Sequence, residues 1–294
     1  MEQTSSATSG PQNPFSANTT HALRGDYQYM RADYTIDQPY EQYTEAEQAR
    51  WRLLFNRQKK LLAGYAAPEF IAGLEALGAG EAIPRLEDAN KVLGEATGWQ
   101  LVAVPGLIPD DVFFDHLANR RFPVAWWIRK EEELDYLVEP DIFHDFFGHV
   151  PLLSNPSFAK YMRKYGMGGP KAIEHGGVKM LARLYWYIVE FGLINTPDGL
   201  RAFGAGMLSS KDETIYSVTD PKPNRIAFDL ERCLNTAYMV DDFQKTYFVI
   251  DSFEQLFEIC DHDFTPYYER GAGKEPFPAE SIQPGDVVIN RGQF

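Results

Sequence analysis

The chain has 294 residues, 44% of them hydrophobic and 24% charged, which are ordinary values for a folded globular protein. Its net charge of −14 argues against a nucleic-acid partner, because binding to a phosphate backbone requires clustered positive charge. The two cysteines are too few for a disulfide framework in a chain of this length, so a reducing, cytoplasmic compartment is expected.

Composition divides the chain into three parts. Residues 1–22 are rich in Ser, Thr, Asn and Pro, which predicts a disordered N-terminal tail. This tail lacks the basic start and apolar run of a secretory signal, and no later stretch reaches the roughly 20 apolar residues of a membrane helix. Residues 23–268 are predicted to form one compact domain, followed by an extended C-terminal tail over residues 269–294.

Helix signals are clear in the first third of the domain. Thr44 and Glu47 have the spacing of a capping box, which predicts that a helix begins at Thr44. Apolar residues then recur at helical spacing, as expected for one buried face. A second helix is predicted from Pro68 to Gly78, and a third over residues 86–97.

The remaining elements are shorter and alternate in type. Strands are predicted over residues 100–104, 122–128, 238–240 and 246–250. Further helices are predicted over residues 141–147, 156–165, 178–193 and 252–260. The predicted fold class is therefore mainly α with a few short β-strands around a single core.

Two histidines, His144 and His149, lie five residues apart in the segment DIFHDFFGHV. On a regular α-helix this spacing separates two side chains by about 140°, so they could not share one metal ion. Gly148 allows a helix to end, and if His149 lies beyond that end the two rings can converge. The alternative is two unconnected histidines. The apolar surroundings favour a metal, because buried imidazoles need partners.

Glu190 has the most apolar surroundings of any acidic residue, within LYWYIVEFGL. An isolated buried carboxylate is costly, so it must be paired or bound to a cation. Arg183 is about 10 Å away along a helix and is poorly placed to neutralise it, which leaves a salt bridge to a distant basic residue as the alternative. Two imidazoles and one carboxylate form a facial triad, which favours non-haem Fe(II) with open positions for oxygen.

Asp141 stands three residues before His144 and has two interpretations of equal weight. Its carboxylate can orient the His144 imidazole, as partners of metal-bound histidines commonly do. It can equally cap the N-terminus of the predicted helix.

Four segments resemble the pterin-dependent aromatic amino acid hydroxylases, most closely their short bacterial members that act on phenylalanine. The segments are IRKEEELDYLVEPDIFHDFFGHVPLL, LYWYIVEFGL, RAFGAGMLSS and YMVDDFQKTYFVIDSF. The likeness extends over roughly residues 25–265. The resemblance implies that His144, His149 and Glu190 bind ferrous iron, and that residues 23–268 form an iron- and pterin-dependent catalytic domain.

The resemblance also implies two sets of binding residues. For the amino acid substrate these are Arg129, Trp186, Phe191, Gly206, Ser209, Ser210 and Val240. For the tetrahydropterin they are Gly106, Leu107, Ile108, Phe113, Asp145, Ala182 and Tyr185. A planar guanidinium such as that of Arg129 suits bidentate capture of a carboxylate. Asp145 stands where animal members of the family carry a glutamate, and its shorter reach weakens the expected pterin contact.

The implied reaction converts L-phenylalanine to L-tyrosine with O2 and a tetrahydropterin, a cosubstrate that partner enzymes must recycle. A monomer is expected, because the N-terminal tail is too short for a regulatory domain and the C-terminal tail lacks the heptads of a tetramerisation helix. Tyrosine or tryptophan hydroxylation remains the nearest alternative, although Val240 stands where tyrosine hydroxylases carry an aspartate. A zinc hydrolase and a metal-stabilised binding module are more distant alternatives.

Overall fold

The computed structural model describes residues 24–135, 137 and 139–294. The tail predicted over residues 1–22 lies outside the described residues. Within the described part, no helix is both long and apolar enough to traverse a lipid bilayer.

Helices make up about 48% of the chain, more than any other kind of element. The α-helices are α1 (Glu45–Leu61), α2 (Pro68–Leu77), α3 (Leu86–Ala96), α4 (Asp110–Ala118), α5 (Val150–Leu153), α6 (Pro156–Glu174), α7 (Val178–Leu184), α8 (Ala205–Leu208), α9 (Lys211–Thr219), α10 (Leu230–Leu234), α11 (Phe253–Ile259) and α12 (Thr265–Gly271). Two further segments, Phe143–His149 and Tyr185–Glu190, are π-helices. The predicted fold class, mainly α with a few short strands, is confirmed.

The helix boundaries with explicit sequence signals are confirmed. The Thr44 hydroxyl accepts from the amide of Glu47 at 3.3 Å, and the Glu47 carboxylate accepts from the amide of Thr44 at 2.8 Å. Helix α2 begins at Pro68 and is followed by Gly78 in a left-handed conformation, with φ of +61°. Such reciprocal caps satisfy amides that a helix end otherwise leaves unpaired.

Helix α6 continues well beyond residue 165, where the sequence predicted its end. Glycines at 166, 168 and 169 and the proline at 170 favour termination. In the structure two of these glycines permit contact with α4. A Cβ atom at Gly169 would lie 2.1 Å from the Phe114 ring, and one at Gly166 would lie 2.5 Å from the amide nitrogen of Ala118. Tertiary packing therefore overrides the local preference.

The strands form two small sheets. The strands are β1 (Gln100–Val104), β2 (Arg121–Ala125), β3 (Leu193–Thr196), β4 (Gly199–Ala202), β5 (Asn224–Ala227), β6 (Thr246–Ile250) and β7 (Val288–Asn290). Strands β1 and β2 pair in parallel, and the other five form a mixed sheet in the order β4-β3-β6-β5-β7. Strand β2 ends at Ala125, three residues before the predicted end.

The strand predicted over residues 238–240 is wrong. This segment is irregular, because the backbone of Met239 bonds to a side chain instead of to a neighbouring strand. Gln244 supplies that side chain, accepting from the Met239 amide at 3.0 Å and donating to the Met239 carbonyl at 2.8 Å. A backbone satisfied in this way has no need of a sheet partner.

The C-terminal segment over residues 269–294 is irregular apart from the end of α12 and strand β7. It lies against the domain. Strand β7 pairs antiparallel with β5, and Phe277 forms a bridge with Thr236. This segment therefore supplies β7, one edge strand of the five-stranded sheet.

Aromatic side chains anchor the first π-helix in the core. Phe143 and Phe147 stack on each other at 4.8 Å, and Trp51 of α1 meets the ring of Phe143 edge-on at 5.5 Å. All three side chains are fully buried, and burial of a side chain of this size contributes about 2 kcal/mol. The helix that carries both histidines is thus packed firmly against the hydrophobic core.

Candidate metal centre and active site

His144 and His149 lie on one continuous helix, and the helix end predicted between them is wrong. Residues Phe143–His149 form a π-helix, and α5 follows directly. A π-helix is hydrogen-bonded from residue i to residue i+5, so residues five apart lie close together on one face. The two ring centroids are 4.9 Å apart, and the two Nε2 atoms are 3.2 Å apart.

Gly148 has a different role from the one that the sequence predicted. It does not adopt a positive φ and does not end the helix. A Cβ atom at this position would lie 3.0 Å from both the Cβ and the carbonyl oxygen of Ala205. Glycine therefore allows α8 to approach the π-helix closely, which brings Ser209 to the side of His144.

Ser209 orients the His144 imidazole. The Ser209 hydroxyl donates its proton to the carbonyl of Ala205 at 2.8 Å. The same oxygen lies 2.9 Å from Nδ1 of His144, so it accepts from an Nδ1–H group. The neutral imidazole then carries its lone pair on Nε2, the atom that faces His149 and Glu190.

Asp141 caps the helix and does not hold the imidazole. Its Oδ1 accepts from the backbone amide of His144 at 2.9 Å, which is the second of the two interpretations that the sequence left open. The expectation that Asp141 orients the ring is corrected, because Ser209 occupies that role.

We expect Ser209→Ala to lower the affinity for iron about 10- to 100-fold, the usual effect of losing a hydrogen bond to a metal-binding imidazole. Competition with a chelator would measure this affinity. Ser154→Ala is the matched control, since the Ser154 hydroxyl also donates to a backbone carbonyl, at 2.6 Å, but lies at the end of α5. Equal iron affinity in both variants would contradict the role given to Ser209.

Glu190 ends the second π-helix and faces both imidazoles. Its Oε1 lies 3.2 Å from Nε2 of His149, and its Oε2 lies 3.5 Å from Nε2 of His144. Burial alone would raise the pKa of Glu190, but the two imidazoles outweigh it and hold the pKa well below its usual range. Burial likewise opposes the charged form of His144, yet Glu190 raises its pKa. The cluster therefore attracts positive charge.

The alternative of a distant salt bridge for Glu190 receives no support from Arg183. The Arg183 guanidinium donates to the carbonyl of Leu234 at 3.1 Å. Glu190 instead finds its partners among the two histidines.

The three side chains fit a metal ion. Their ligand atoms all lie within 4.8 Å of one another, and this is the one group of three such residues found in the described part of the chain. Ligands at right angles, with bonds of about 2.1 Å, would be roughly 3 Å apart, close to the 3.2 to 3.5 Å separations here. Two nitrogens and one carboxylate on one side leave the opposite side of an ion open.

A cavity of about 290 Å³ adjoins the cluster on one side. It is lined by every residue expected to bind the amino acid, namely Arg129, Trp186, Phe191, Gly206, Ser209, Ser210 and Val240. The Trp186 ring lies 5.0 Å from Phe191 and stacks on Tyr238 at 4.6 Å. Flat aromatic walls of this kind suit an aromatic ligand.

Arg129 is buried and is held by Asp141. Its Nε and Nη2 atoms each donate to the carboxylate at 2.9 Å, and its backbone amide donates at 2.8 Å. Burial would raise the pKa of Asp141, but the charge of Arg129 outweighs it and lowers that pKa. One edge of the guanidinium is thus occupied, while Nη1 makes only a 3.4 Å contact with the carbonyl of Leu134.

A second cavity, of about 430 Å³, adjoins the cluster on another side. It is lined by every residue expected to bind the pterin, namely Gly106, Leu107, Ile108, Phe113, Asp145, Ala182 and Tyr185. The Phe113 and Tyr185 rings meet edge-on at 5.5 Å. Tyr27 donates to the carbonyl of Leu107 at 2.9 Å and so fixes the loop.

The Asp145 carboxylate is turned toward the backbone. Its Oδ2 accepts from the amide of Ala125 at 2.8 Å. Burial raises the pKa of Asp145 to about 6, against the opposing effect of His144. One oxygen is therefore committed to the cavity wall, in keeping with the short reach of this side chain.

The two cavities meet at the metal cluster. Both are lined by His144, Glu190, Trp186 and Val240. Pro140 lines both cavities, and Tyr238 lines the larger one. The sequence did not identify either residue as part of the site. Glu213, another missed residue, lines the smaller cavity from α9, and burial raises its pKa to about 7. The position of Tyr238, two residues before Val240, was an available signal, whereas no local pattern marks Glu213.

The family is shown by comparison with known proteins. The model of the biopterin-dependent aromatic amino acid hydroxylases matches residues 12–266. The chain belongs to this family. As a biopterin-dependent hydroxylase it is an oxidoreductase whose family uses iron, a pterin and O2.

Two bacterial relatives of this hydroxylase match along most of their length. The phenylalanine-4-hydroxylase of Ralstonia nicotianae is 57% identical over 268 residues, covering 91% of this chain and 86% of the relative. That of Chromobacterium violaceum is also 57% identical, over 261 residues that cover 88% of each. A crystal structure of the Chromobacterium violaceum enzyme bound to cobalt has a TM-score of 0.87 at 56% identity, covering 88% of this chain and 95% of that one.

Proposed function

We propose that the protein hydroxylates L-phenylalanine to L-tyrosine, using O2 and a tetrahydropterin at a single ferrous ion bound by His144, His149 and Glu190. One observation carries the proposal: two separate cavities adjoin the same three-residue cluster. The names of relatives at 57% identity, all phenylalanine-4-hydroxylases, support this choice of substrate.

The smaller cavity is proposed to bind the amino acid. The guanidinium edge of Arg129 that Asp141 leaves free would bind the carboxylate, and Trp186 and Phe191 would enclose the ring. Val240 offers an apolar side chain at the mouth of the cavity, which suits a ring without a hydroxyl group. The ring would then lie beside the metal cluster.

The larger cavity is proposed to bind the tetrahydropterin. Backbone groups of residues 106–108 would bond the edge of the heterocycle, and Phe113 would stack on its face. Iron, when bound, supplies the capacity to activate O2. The protein contributes alignment, since the walls fix both organic molecules and exclude water while Ser209 keeps Nε2 of His144 unprotonated.

Three further features complete the proposal. We propose that the protein is a monomer, that it acts in the cytoplasm, and that it depends on other enzymes to recycle the oxidised pterin. The paucity of cysteine fits a reducing compartment. Pterin recycling follows from the chemistry, because each turnover consumes two electrons from the cosubstrate.

Anaerobic reconstitution tests the function directly. The protein would be loaded with Fe(II), phenylalanine and a tetrahydropterin before O2 is admitted, with zinc-loaded protein as the matched control. We expect tyrosine to form with iron only, at about one tyrosine per tetrahydropterin consumed. Turnover with zinc and without O2 uptake would identify a hydrolase instead. Faster hydroxylation of tyrosine or tryptophan would change the substrate.

A further inference from the structure

Gln244 is a buried residue, 1% exposed, whose side chain joins two parts of the proposed amino acid cavity. Its Oε1 accepts from Nε1 of Trp186 at 3.2 Å and from the Met239 amide at 3.0 Å. Its Nε2 donates to the Met239 carbonyl at 2.8 Å. One side-chain amide thus bonds both backbone groups of Met239, as a neighbouring strand would, and at the same time holds the Trp186 indole in place.

The groups that Gln244 holds are themselves parts of the cavity wall. Tyr238 and Val240 flank Met239 in sequence, so their positions follow from the backbone that Gln244 fixes. Tyr238 stacks on Trp186 at 4.6 Å. Val240 is 66% exposed and lines both cavities at their shared mouth. Displacement of the Gln244 side-chain amide would therefore move both the Trp186 indole and the residues at the mouth of the cavities.

Gln244 is in turn held by Glu213. The backbone amide of Gln244 donates to Oε1 of Glu213 at 3.1 Å, and the Tyr247 hydroxyl donates to the same oxygen at 2.7 Å. Glu213 and Tyr247 are buried, so water does not compete for these bonds. Glu213 also lines the amino acid cavity. The support therefore extends from strand β6 through Glu213 and Gln244 to Trp186.

We propose that Gln244 is a positioning residue for the amino acid substrate: its side-chain amide holds Trp186 and the 238–240 segment in the one arrangement that aligns the aromatic ring with the metal. The inference rests on the proposed function, since it requires that this cavity binds the amino acid. Gln244 lines neither cavity, so it acts on the substrate through Trp186 and Met239.

This role predicts a particular kinetic signature. Loss of the Gln244 amide leaves the Trp186 indole N–H and the backbone groups of Met239 unpaired. The cavity wall then rearranges and holds the aromatic ring of the substrate less well. The KM for phenylalanine should then rise, and a larger share of tetrahydropterin oxidation should end without tyrosine. The KM for the tetrahydropterin should change little, because its expected contacts lie on the other side of the cluster.

Gln244→Leu tests the inference, because leucine has a side chain of similar bulk and removes every hydrogen bond of the Gln244 side chain. We expect the KM for phenylalanine to rise about ten-fold and the tyrosine formed per tetrahydropterin to fall to about half or less. Iron content should stay that of the wild type. Gln38→Leu is the matched control, since the Gln38 amide also bonds two backbone groups, the Pro84 carbonyl at 2.9 Å and the Leu86 amide at 3.0 Å, away from both cavities.

Two more variants keep the test decisive. Gln244→Glu retains the acceptors but loses the donor to Met239, and it should raise the KM for phenylalanine even if Gln244→Leu fails to fold.

Phe191→Ala tests whether this cavity binds the amino acid at all. If Phe191→Ala raises the KM and a folded Gln244 variant leaves both KM and coupling unchanged, the positioning role is overturned while the substrate site stands. If Phe191→Ala also leaves the KM unchanged, the proposed amino acid site fails and the positioning role fails with it.

Discussion

Replacing His149 with alanine is expected to abolish both iron binding and tyrosine formation while the protein stays folded. The side chain supplies one of three ligand atoms that lie within 4.8 Å of one another. Two remaining ligands cannot hold the ion against water, and we expect its affinity to fall by more than about 100-fold, beyond the effect of losing a supporting hydrogen bond. His144→Ala should behave in the same way, because the cluster is built from both rings.

Metal analysis after dialysis, together with tyrosine formation, would measure this effect. His175→Ala is the matched control, because His175 follows α6 on the surface and is exposed. Circular dichroism would establish that each variant is folded. Full activity in a His149→Ala protein that no longer holds iron would overturn the assignment of the metal site.

Arg129→Lys is expected to raise the KM for phenylalanine by at least about ten-fold, because a point charge cannot replace a planar fork. It should also destabilise the protein, since Asp141 loses a partner that donates twice from one guanidinium. Removing one member of a buried ion pair typically costs about 3 to 5 kcal/mol, and the lysine offsets part of this loss.

Arg232→Lys separates the two effects, since Arg232 forms a similarly buried pair with Asp286, at 3.0 Å, outside both cavities. Steady-state kinetics and urea unfolding should show a comparable loss of stability in both variants but a raised KM only for Arg129→Lys. An unchanged KM in Arg129→Lys would remove this residue from the substrate site.

The pH dependence of stability tests the Arg129–Asp141 ion pair separately. Folding lowers the pKa of Asp141, so the pair stabilises the protein at neutral pH, and this contribution is lost as the pH falls below about 4.

The parts of the fold that could be predicted from the sequence are those with local causes. The capping box at Thr44, the proline at Pro68 and the glycine at Gly78 each satisfy or terminate a helix through neighbouring atoms, and each boundary is found where it was expected. The end of α6 was not predictable in this way. Its glycines are explained by the shape of α4, which is distant in sequence.

The chemistry of the site was more accessible to sequence reasoning than its geometry. An acid in apolar surroundings and two histidines in an aromatic segment pointed to a shared cation, and the structure brings all three together. The means of convergence was not predictable, since a π-helix is stabilised by its tertiary surroundings and has no simple sequence rule. Of the two interpretations left open for Asp141, the structure shows the helix cap, and the partner of the His144 ring is a residue that the sequence did not suggest for that role. Ser209 is 65 residues away in sequence, whereas Asp141 is only three residues away.

The two π-helices restrict how such a centre can be transplanted into another protein. A designer who grafts the segment HDFFGH onto a regular α-helix would rotate its two rings about 140° apart, and the ion would lose a ligand even though every required amino acid was present. A recipient scaffold must accept the wider turn in both ligand-bearing helices. It must also carry the aromatic layer behind the first of them and a neighbour small enough to lie against Gly148. Backbone shape, rather than ligand identity, is therefore the harder feature to copy.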